Sequence, residues 1–278
     1  MTKSDLPSLE KQILLAHITG HSRSWVLAHP ELTLTPAQQA ALEEASRQLQ
    51  AGVPLPYILG HWEFFGLDFE VSPDVLIPRP ETELLIETAL AWTQTHPPLG
   101  PVYRFIDVGT GSGIIPVTLA THLPSAEFLA TDISPAALKI ARRNAAKHGV
   151  AERIHFLQAD LLPDETALAM AEQTTADLLT ANLPYIPTAT LETLEIFGRE
   201  PTLALDGGPD GLQLIRRLLA QVTAKRLAVR LILLEIEYRQ GMAVITLARQ
   251  HFPAARIEIK RDLAGHDRLL VVDCETGP

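Results

Sequence analysis

The sequence predicts an α/β protein: a doubly wound, seven-stranded, mostly parallel sheet ending in an antiparallel hairpin, preceded by a small α-helical domain. Three observations carry that prediction. From residue 103 onward, short apolar runs alternate with helical stretches, the pattern of a parallel sheet covered by helices on both faces. The last two runs have no helical stretch between them, which predicts antiparallel pairing. Residues 1–60, by contrast, show only helical periodicity.

Composition sets the outer bounds. The 278 residues are 46% hydrophobic and 20% charged, which suits a globular protein with a sizeable core. No apolar run approaches the ~20 residues of a membrane helix, and the amino-terminal MTKSDLPSLEKQ lacks the apolar segment of a signal peptide. A single cysteine, Cys274, forms no internal disulfide framework and fits a reducing cytoplasm. The formal net charge is −10, and residues 1–72 alone hold 4 basic and 8 acidic groups. That balance argues against stable nucleic-acid binding.

In chain order, Leu9, Ile13, Leu14 and Ile18 recur at helical spacing up to Gly20. A second helix is predicted over 23–29 and a third over 36–51. Thr35 caps the third, Pro36 takes its first position, and Gln38 completes a capping box. His17 and His21 have a metal-ligand spacing but no accompanying carboxylate, so they read as surface or packing residues. Aromatic and β-branched runs at 62–65 and 67–71, parted by Gly66, predict a β-hairpin. Pro73, Pro78 and Pro80 stiffen the chain that follows. We therefore expect a helical domain over 1–60, a bridge over 61–80 and a catalytic domain over 81–278, which opens with a helix over 81–95. Predicted strands cover 103–108, 127–131, 154–158, 177–180, 231–235, 257–260 and 269–272. Predicted helices cover 114–122, 135–148, 211–225 and 240–250.

Three successive strand ends carry candidate binding groups. After the first come Gly109, Thr110, Gly111, Ser112 and Gly113, a turn whose glycines let a ligand approach the backbone. A dinucleotide fingerprint needs a small residue where Ile114 stands, and no phosphate-loop Gly-Lys-Ser/Thr occurs, so pyrophosphate and ATP hydrolysis are disfavoured. Asp132 ends the second strand, where a carboxylate can accept both ribose hydroxyls, and Asp160 with Leu161 follows the third, placed for an adenine ring and its amine. Together they predict an adenosine site without a pyrophosphate, and S-adenosylmethionine is the best candidate. After the fourth strand stand Asn182, Leu183, Pro184 and Tyr185. The Asn182 side-chain oxygen and the Leu183 carbonyl can each accept an N–H, and Tyr185 can lie against a flat group. A carboxamide or an exocyclic base amine both fit; Asn-x-Pro is also ordinary turn chemistry.

With such a donor site beside Asn182 to Tyr185, the chain resembles the class I, Rossmann-like methyltransferases of planar nitrogens, which carry Asn/Asp-Pro-Pro-Tyr. Further blocks narrow the resemblance: Tyr57-Ile-Leu-Gly60, Phe65-Gly-Leu67, Val75-Leu-Ile-Pro-Arg-Pro-Glu-Thr-Glu83, Glu200-Pro201, and Leu205-Asp-Gly-Gly-Pro-Asp-Gly211. They resemble the HemK-type release-factor glutamine N(5)-methyltransferases from about residue 57 to 272. The resemblance implies that the substrate is the glutamine of a release factor's Gly-Gly-Gln loop. It also implies that residues 109–113, Asp132, Asp160, Leu161 and Asn182 contact the cofactor, and that Asn182 to Tyr185 hold the glutamine. Arg79, Glu81 and Thr82 either border the substrate channel or begin the 81–95 helix. The 206–211 segment reads as a structural turn with Asp210 capping the next helix, and Arg268 as one side of a structural ion pair. The chain departs from the family pattern at Leu183, where Pro is usual, and at Glu237, where Gly is usual. Two rival readings remain: an N(6)-adenine methyltransferase on DNA or RNA, and a non-catalytic binding module that keeps the cofactor fold. A nicotinamide dehydrogenase is disfavoured by Ile114.

Overall fold

The computed structural model describes residues 8–170 and 175–275; residues 1–7, the start of the segment expected to lack a signal peptide, lie outside them. Two compact units are present, Met1–Trp62 and Glu63–Pro278. The first unit holds α1 (Leu9–Thr19), α2 (Arg23–Ala28), α3 (Pro36–Gln50) and α4 (Leu55–Leu59). The Ser8, Ser22 and Thr35 side chains cap the first three by accepting backbone N–H groups left unpaired in each first turn, and Thr35 with Gln38 forms the predicted capping box. Leu14, Leu42, Ala45 and Leu59 form the core of this unit. His21 stacks on Trp25, and the His17 ring sits 3.4 Å from His61, so the two histidines have separate neighbours. The sequence reading missed α4, because a five-residue helix carries no readable period and Pro54 and Pro56 look like breakers.

Strand β1 (His61–Phe64) carries the chain across the boundary into the second unit, followed by β2 (Leu67–Glu70), a 3₁₀ turn over Pro80–Thr82 and α5 (Glu83–Thr93). There follow β3 (Tyr103–Val108), α6 (Ile114–His122), β4 (Ala126–Asp132), α7 (Pro135–Lys147), β5 (Ile154–Gln158) and α8 (Glu165–Met170). The chain closes with β6 (Thr175–Ala181), α9 (Thr188–Leu191), α10 (Gln213–Ala224), β7 (Ala228–Glu235), α11 (Gly241–His251), β8 (Arg256–Arg261) and β9 (Asp267–Asp273). The seven-stranded sheet runs β5-β4-β3-β6-β7-β9-β8. Pairing is parallel from β5 to β7 and antiparallel where β9 meets β7 and β8.

Both faces of the central strands are buried, so they read as continuous apolar runs. In β3, Phe105 joins Leu85 and Ile86 of α5 and Leu138 of α7 on one face. Its neighbour Ile106 joins Ile215 of α10 and Val244 of α11 on the other. Strand order reverses between β3 and β6, opening a crevice beyond their carboxyl ends, the usual ligand position in such sheets.

Candidate active site at the switch point of the sheet

The turn after β3 is built from backbone. Gly109, Gly111 and Gly113 all have positive φ, which glycine adopts without steric cost. The Gly109 and Thr110 N–H groups both donate to the Thr131 carbonyl at 2.9 Å, tying the turn to the end of β4. The Asp132 carboxylate accepts the Gly111 N–H through one oxygen and the Ser134 N–H through the other, each at 2.8 Å. Asp132 thus braces the turn while lining a cavity of about 700 Å³, and burial raises its pKa. A Cβ on Gly109 would sit 2.9 Å from Leu183 Cδ2, so no side chain fits between the two loops.

Asp107 lies beneath this turn, 1% exposed. Its Oδ1 accepts the Thr180 hydroxyl at 2.7 Å, and its Oδ2 has no partner. The Thr110 hydroxyl lies close enough to lower the Asp107 pKa without making a hydrogen bond of normal geometry. Burial dominates and pushes that carboxyl up to about 6. A buried carboxylate oxygen without a donor is rare enough to point to a missing ligand.

The opposite wall is built from side chains. Asn182 Nδ2 donates to Thr82 Oγ1 at 3.0 Å, and Thr82 donates onward to Glu235 Oε2 at 2.6 Å. Tyr185 donates its hydroxyl to Glu235 Oε1 at 3.3 Å. Glu235 ends β7 at 1% exposure, and burial pushes its pKa up to about 7 against the hydrogen bond from Thr82. Among the described residues, Asn182 Oδ1 and the Leu183 carbonyl accept no hydrogen bond, and both residues line the cavity.

The 206–211 turn splints this loop from behind. Ile186 donates to the Leu205 carbonyl and accepts from the Gly207 N–H, while Gln240 Nε2 donates to the Tyr185 carbonyl at 2.9 Å. A Cβ on Gly207 would meet the Pro184 carbonyl at 2.8 Å. Asp210 accepts the Leu212 N–H just ahead of α10, and Asp206 accepts from Thr188 and from the Gly208 N–H.

Most predicted site residues therefore meet at one cavity: Gly109, Thr110, Gly111, Ser112, Asp132, Asp160, Leu161, Asn182, Leu183, Pro184 and Arg79 all line it. Two do not. Gly113 caps the start of α6 and packs on α7, where a Cβ would approach Ala141 Cβ at 3.1 Å, so its need for glycine comes from its φ of 83° and from helix packing. Tyr185 lies behind the wall with its hydroxyl turned to Glu235, because that buried acceptor outcompetes an open position at the cavity. Asp160 gives one oxygen to Arg217 at 2.6 Å. Leu161 is held at φ 68, where the Thr131 hydroxyl donates to its carbonyl at 2.9 Å. That is strain stored at the site, on the order of 1–3 kcal/mol. Arg79 borders the cavity and pairs at 2.5 Å with the buried Glu200, which also accepts the Ile77 N–H. Arg268 pairs with Asp262 at 3.2 Å, as expected.

Comparison with known proteins places this arrangement. Residues 2–60 match the PrmC N-terminal domain, and residues 100–232 match a methyltransferase domain. A release factor glutamine methyltransferase from Moorella thermoacetica is 44% identical over 94% of this chain and 89% of its own length. One from Bordetella pertussis is 38% identical over 95% and 94%. The chain belongs to the release factor glutamine methyltransferase family. The N-terminal domain of human METTL16, solved in complex with SAH, shares the fold at a TM-score of 0.55 and 17% identity, over 98% of this chain and 96% of that one.

Both departures of this methyltransferase from its family's usual pattern are accommodated locally. Leu183 is 3% exposed and packs its side chain on Gly109. Glu237 has no positive φ, so no glycine is required there. Sequence reasoning missed Asp107 and Glu235 as site residues. A signal was present for each: a carboxylate ending, or nearly ending, an apolar strand at the carboxyl edge of the sheet.

Proposed function

We propose that this methyltransferase transfers a methyl group from S-adenosylmethionine to the side-chain amide nitrogen of the glutamine in a release factor's Gly-Gly-Gln loop. The observation that carries the reading is a pair of acceptors without a hydrogen-bond donor among the described residues, Asn182 Oδ1 and the Leu183 carbonyl, on adjacent residues that both line the cavity. A primary amide has two N–H groups, and two adjacent acceptors match them.

The donor's chemistry fits the facing wall. The glycine turn leaves no room for a side chain between Gly109 and Leu183. Unpartnered Asp107 Oδ2 and Thr110 Oγ1 await a donor, which an α-ammonium group supplies. Asp132 has spare lone pairs for ribose hydroxyls, and Leu161 offers an apolar surface to a purine. When bound, the sulfonium supplies an electrophilic methyl group and departs as a neutral thioether.

The chain's own residues make the amide nitrogen competent. An amide lone pair is delocalised and weakly nucleophilic. Asn182 Oδ1 and the Leu183 carbonyl draw on its two N–H bonds, hold the nitrogen in place, and stabilise the positive charge that develops there. Pro184 keeps Leu183 extended, so that its carbonyl stays available. One N–H proton then leaves to water. Tyr185 supports the loop from behind rather than stacking on the substrate.

In this reading the 1–60 helices recognise the protein substrate, and the second unit, which takes in most of the 61–80 stretch expected as a bridge, carries catalysis in the cytoplasm. Among the described residues no helix is long and apolar enough to cross a membrane. The net charge of −10 weighs against the adenine-methylating alternative. The test is transfer of labelled methyl to a purified release factor, beside the same factor with its loop Gln replaced by Ala. Label on the first alone supports the reading; label on neither, or on both equally, overturns it.

A further inference from the structure

Rotated by half a turn, the Asn182 carboxamide keeps its shape but presents NH2 instead of oxygen to the cavity. Sterics cannot choose between these orientations; only hydrogen-bond polarity can. Resting on the reading above, we propose that Thr82 and Glu235 are positioning residues that fix the Asn182 carboxamide with its oxygen toward the substrate.

One proton sets the orientation. A threonine hydroxyl has a single hydrogen. Thr82 gives that hydrogen to Glu235 Oε2 at 2.6 Å, so towards Asn182 it can only accept. It accepts from Nδ2 at 3.0 Å, and Oδ1 is left for the cavity. Protonation of Glu235 on Oε2 reverses the relay: the carboxyl donates to Thr82, Thr82 donates to Asn182 Oδ1, and NH2 turns to the cavity. An NH2 facing a substrate N–H is repulsive and removes one of the two acceptors. Transfer therefore requires ionised Glu235.

The surroundings of Glu235 make it the group that changes charge near neutrality. Tyr185 from the loop after β6, Arg268 from β9 and Glu81 from the 3₁₀ turn all act on it. Tyr185 is itself raised above its ordinary value by burial and by Glu235, and Arg268 stays a guanidinium. Burial puts Glu235 at about 7, so the relay switches within the working range of pH.

Thr82→Val removes the hydroxyl while keeping the shape, and Thr82→Ser restores it. We would measure kcat and KM for transfer to the release-factor loop between pH 6 and 9, together with affinity for S-adenosylhomocysteine. In the wild type, kcat is expected to rise with pH towards a plateau above 7. Thr82→Val is expected to lose on the order of tenfold in plateau kcat, to lose the pH-dependent rise, and to keep its affinity for S-adenosylhomocysteine. Thr82→Ser is expected to keep the rising profile, and Glu235→Gln to flatten it. A wild-type plateau and profile in Thr82→Val would overturn the inference while leaving the proposed function standing. Equal loss in Thr82→Val and Thr82→Ser, with S-adenosylhomocysteine affinity lost too, would show a packing role and overturn it as well. A wild type that transfers no methyl to the loop would remove the proposed function, and this inference with it.

Discussion

Gly109 and Asn182 face one cavity, yet the chain holds them in place by opposite means. Gly109 and its turn are fixed by main-chain hydrogen bonds to Thr131 and by Asp132, all supplied by two adjacent strands and the loops that follow them. Asn182 is fixed by Thr82 and Glu235, which stand 100 residues before it and 53 after, and its loop is splinted by the 206–211 turn and Gln240. The difference follows from what each wall has to do. Binding a charged, polar ligand calls for space and backbone N–H groups, which a glycine turn supplies unaided. Orienting a weak nucleophile calls for two acceptors held to a fraction of an ångström, and side chains at the surface hold that geometry only when packing and buried partners lock them.

Asn182→Ala gives the largest separation between the walls. It is expected to lower kcat by on the order of 10²–10³, the scale of a lost transition-state hydrogen-bonding group. Single-turnover transfer at saturating cofactor reads this directly, and near wild-type turnover would sink the assignment.

On the other wall, Asp107 is fully buried with a pKa raised from 3.8 to about 6. Because the folded value lies above the unfolded one, its contribution to stability is fully present below about pH 4 and is lost as pH rises through 6. At about 1.4 kcal/mol per unit, the loss is on the order of 3 kcal/mol. Asp107→Asn keeps the acceptor for Thr180 and removes the charge. It is therefore expected to melt above wild type at pH 8, to match it near pH 4, and to bind S-adenosylmethionine more weakly. A variant that melts lower than wild type at pH 8 would refute this account of the buried carboxylate.

Gly207→Ala probes the splint. Its new Cβ would press on backbone atoms at 2.7–2.8 Å, contacts that no rotamer change relieves. Overpacking of this kind costs on the order of 1–3 kcal/mol, so chemical denaturation is expected to show that loss with turnover falling in parallel. Unchanged stability would mean the turn does not brace the loop. Smallest of all, Glu237→Gly restores the family's usual residue at a site with no positive φ. It is expected to lower stability by less than about 1 kcal/mol through added backbone freedom and to leave transfer unchanged. A large gain in activity would show that Glu237 hampers this chain.

The same contrast explains what the sequence made legible. The sheet and its terminal hairpin were readable because strands buried on both faces leave unbroken apolar runs, and the glycine turn because φ constraints act on adjacent residues. Thr35 and Ser134 announced their helices because capping is local. The short helices α8 and α9 were missed, at six and four residues, because periodicity needs more turns than they have. The Thr82–Glu235 bond spans 153 positions and joins the 3₁₀ turn ahead of α5 to the last residue of β7, so no local pattern could reveal it. Tyr185 was assigned to the substrate face for the same reason: its buried partner could not be seen from its neighbours in the chain.

A crystal structure with S-adenosylhomocysteine and a glutamine-bearing release-factor peptide addresses the two-acceptor claim most directly. The glutamine nitrogen is expected within about 2.7–3.2 Å of both Asn182 Oδ1 and the Leu183 carbonyl, with Asn182 Nδ2 still on Thr82. A glutamine nitrogen out of reach of both acceptors, or an Asn182 turned with Nδ2 toward it, would contradict the account.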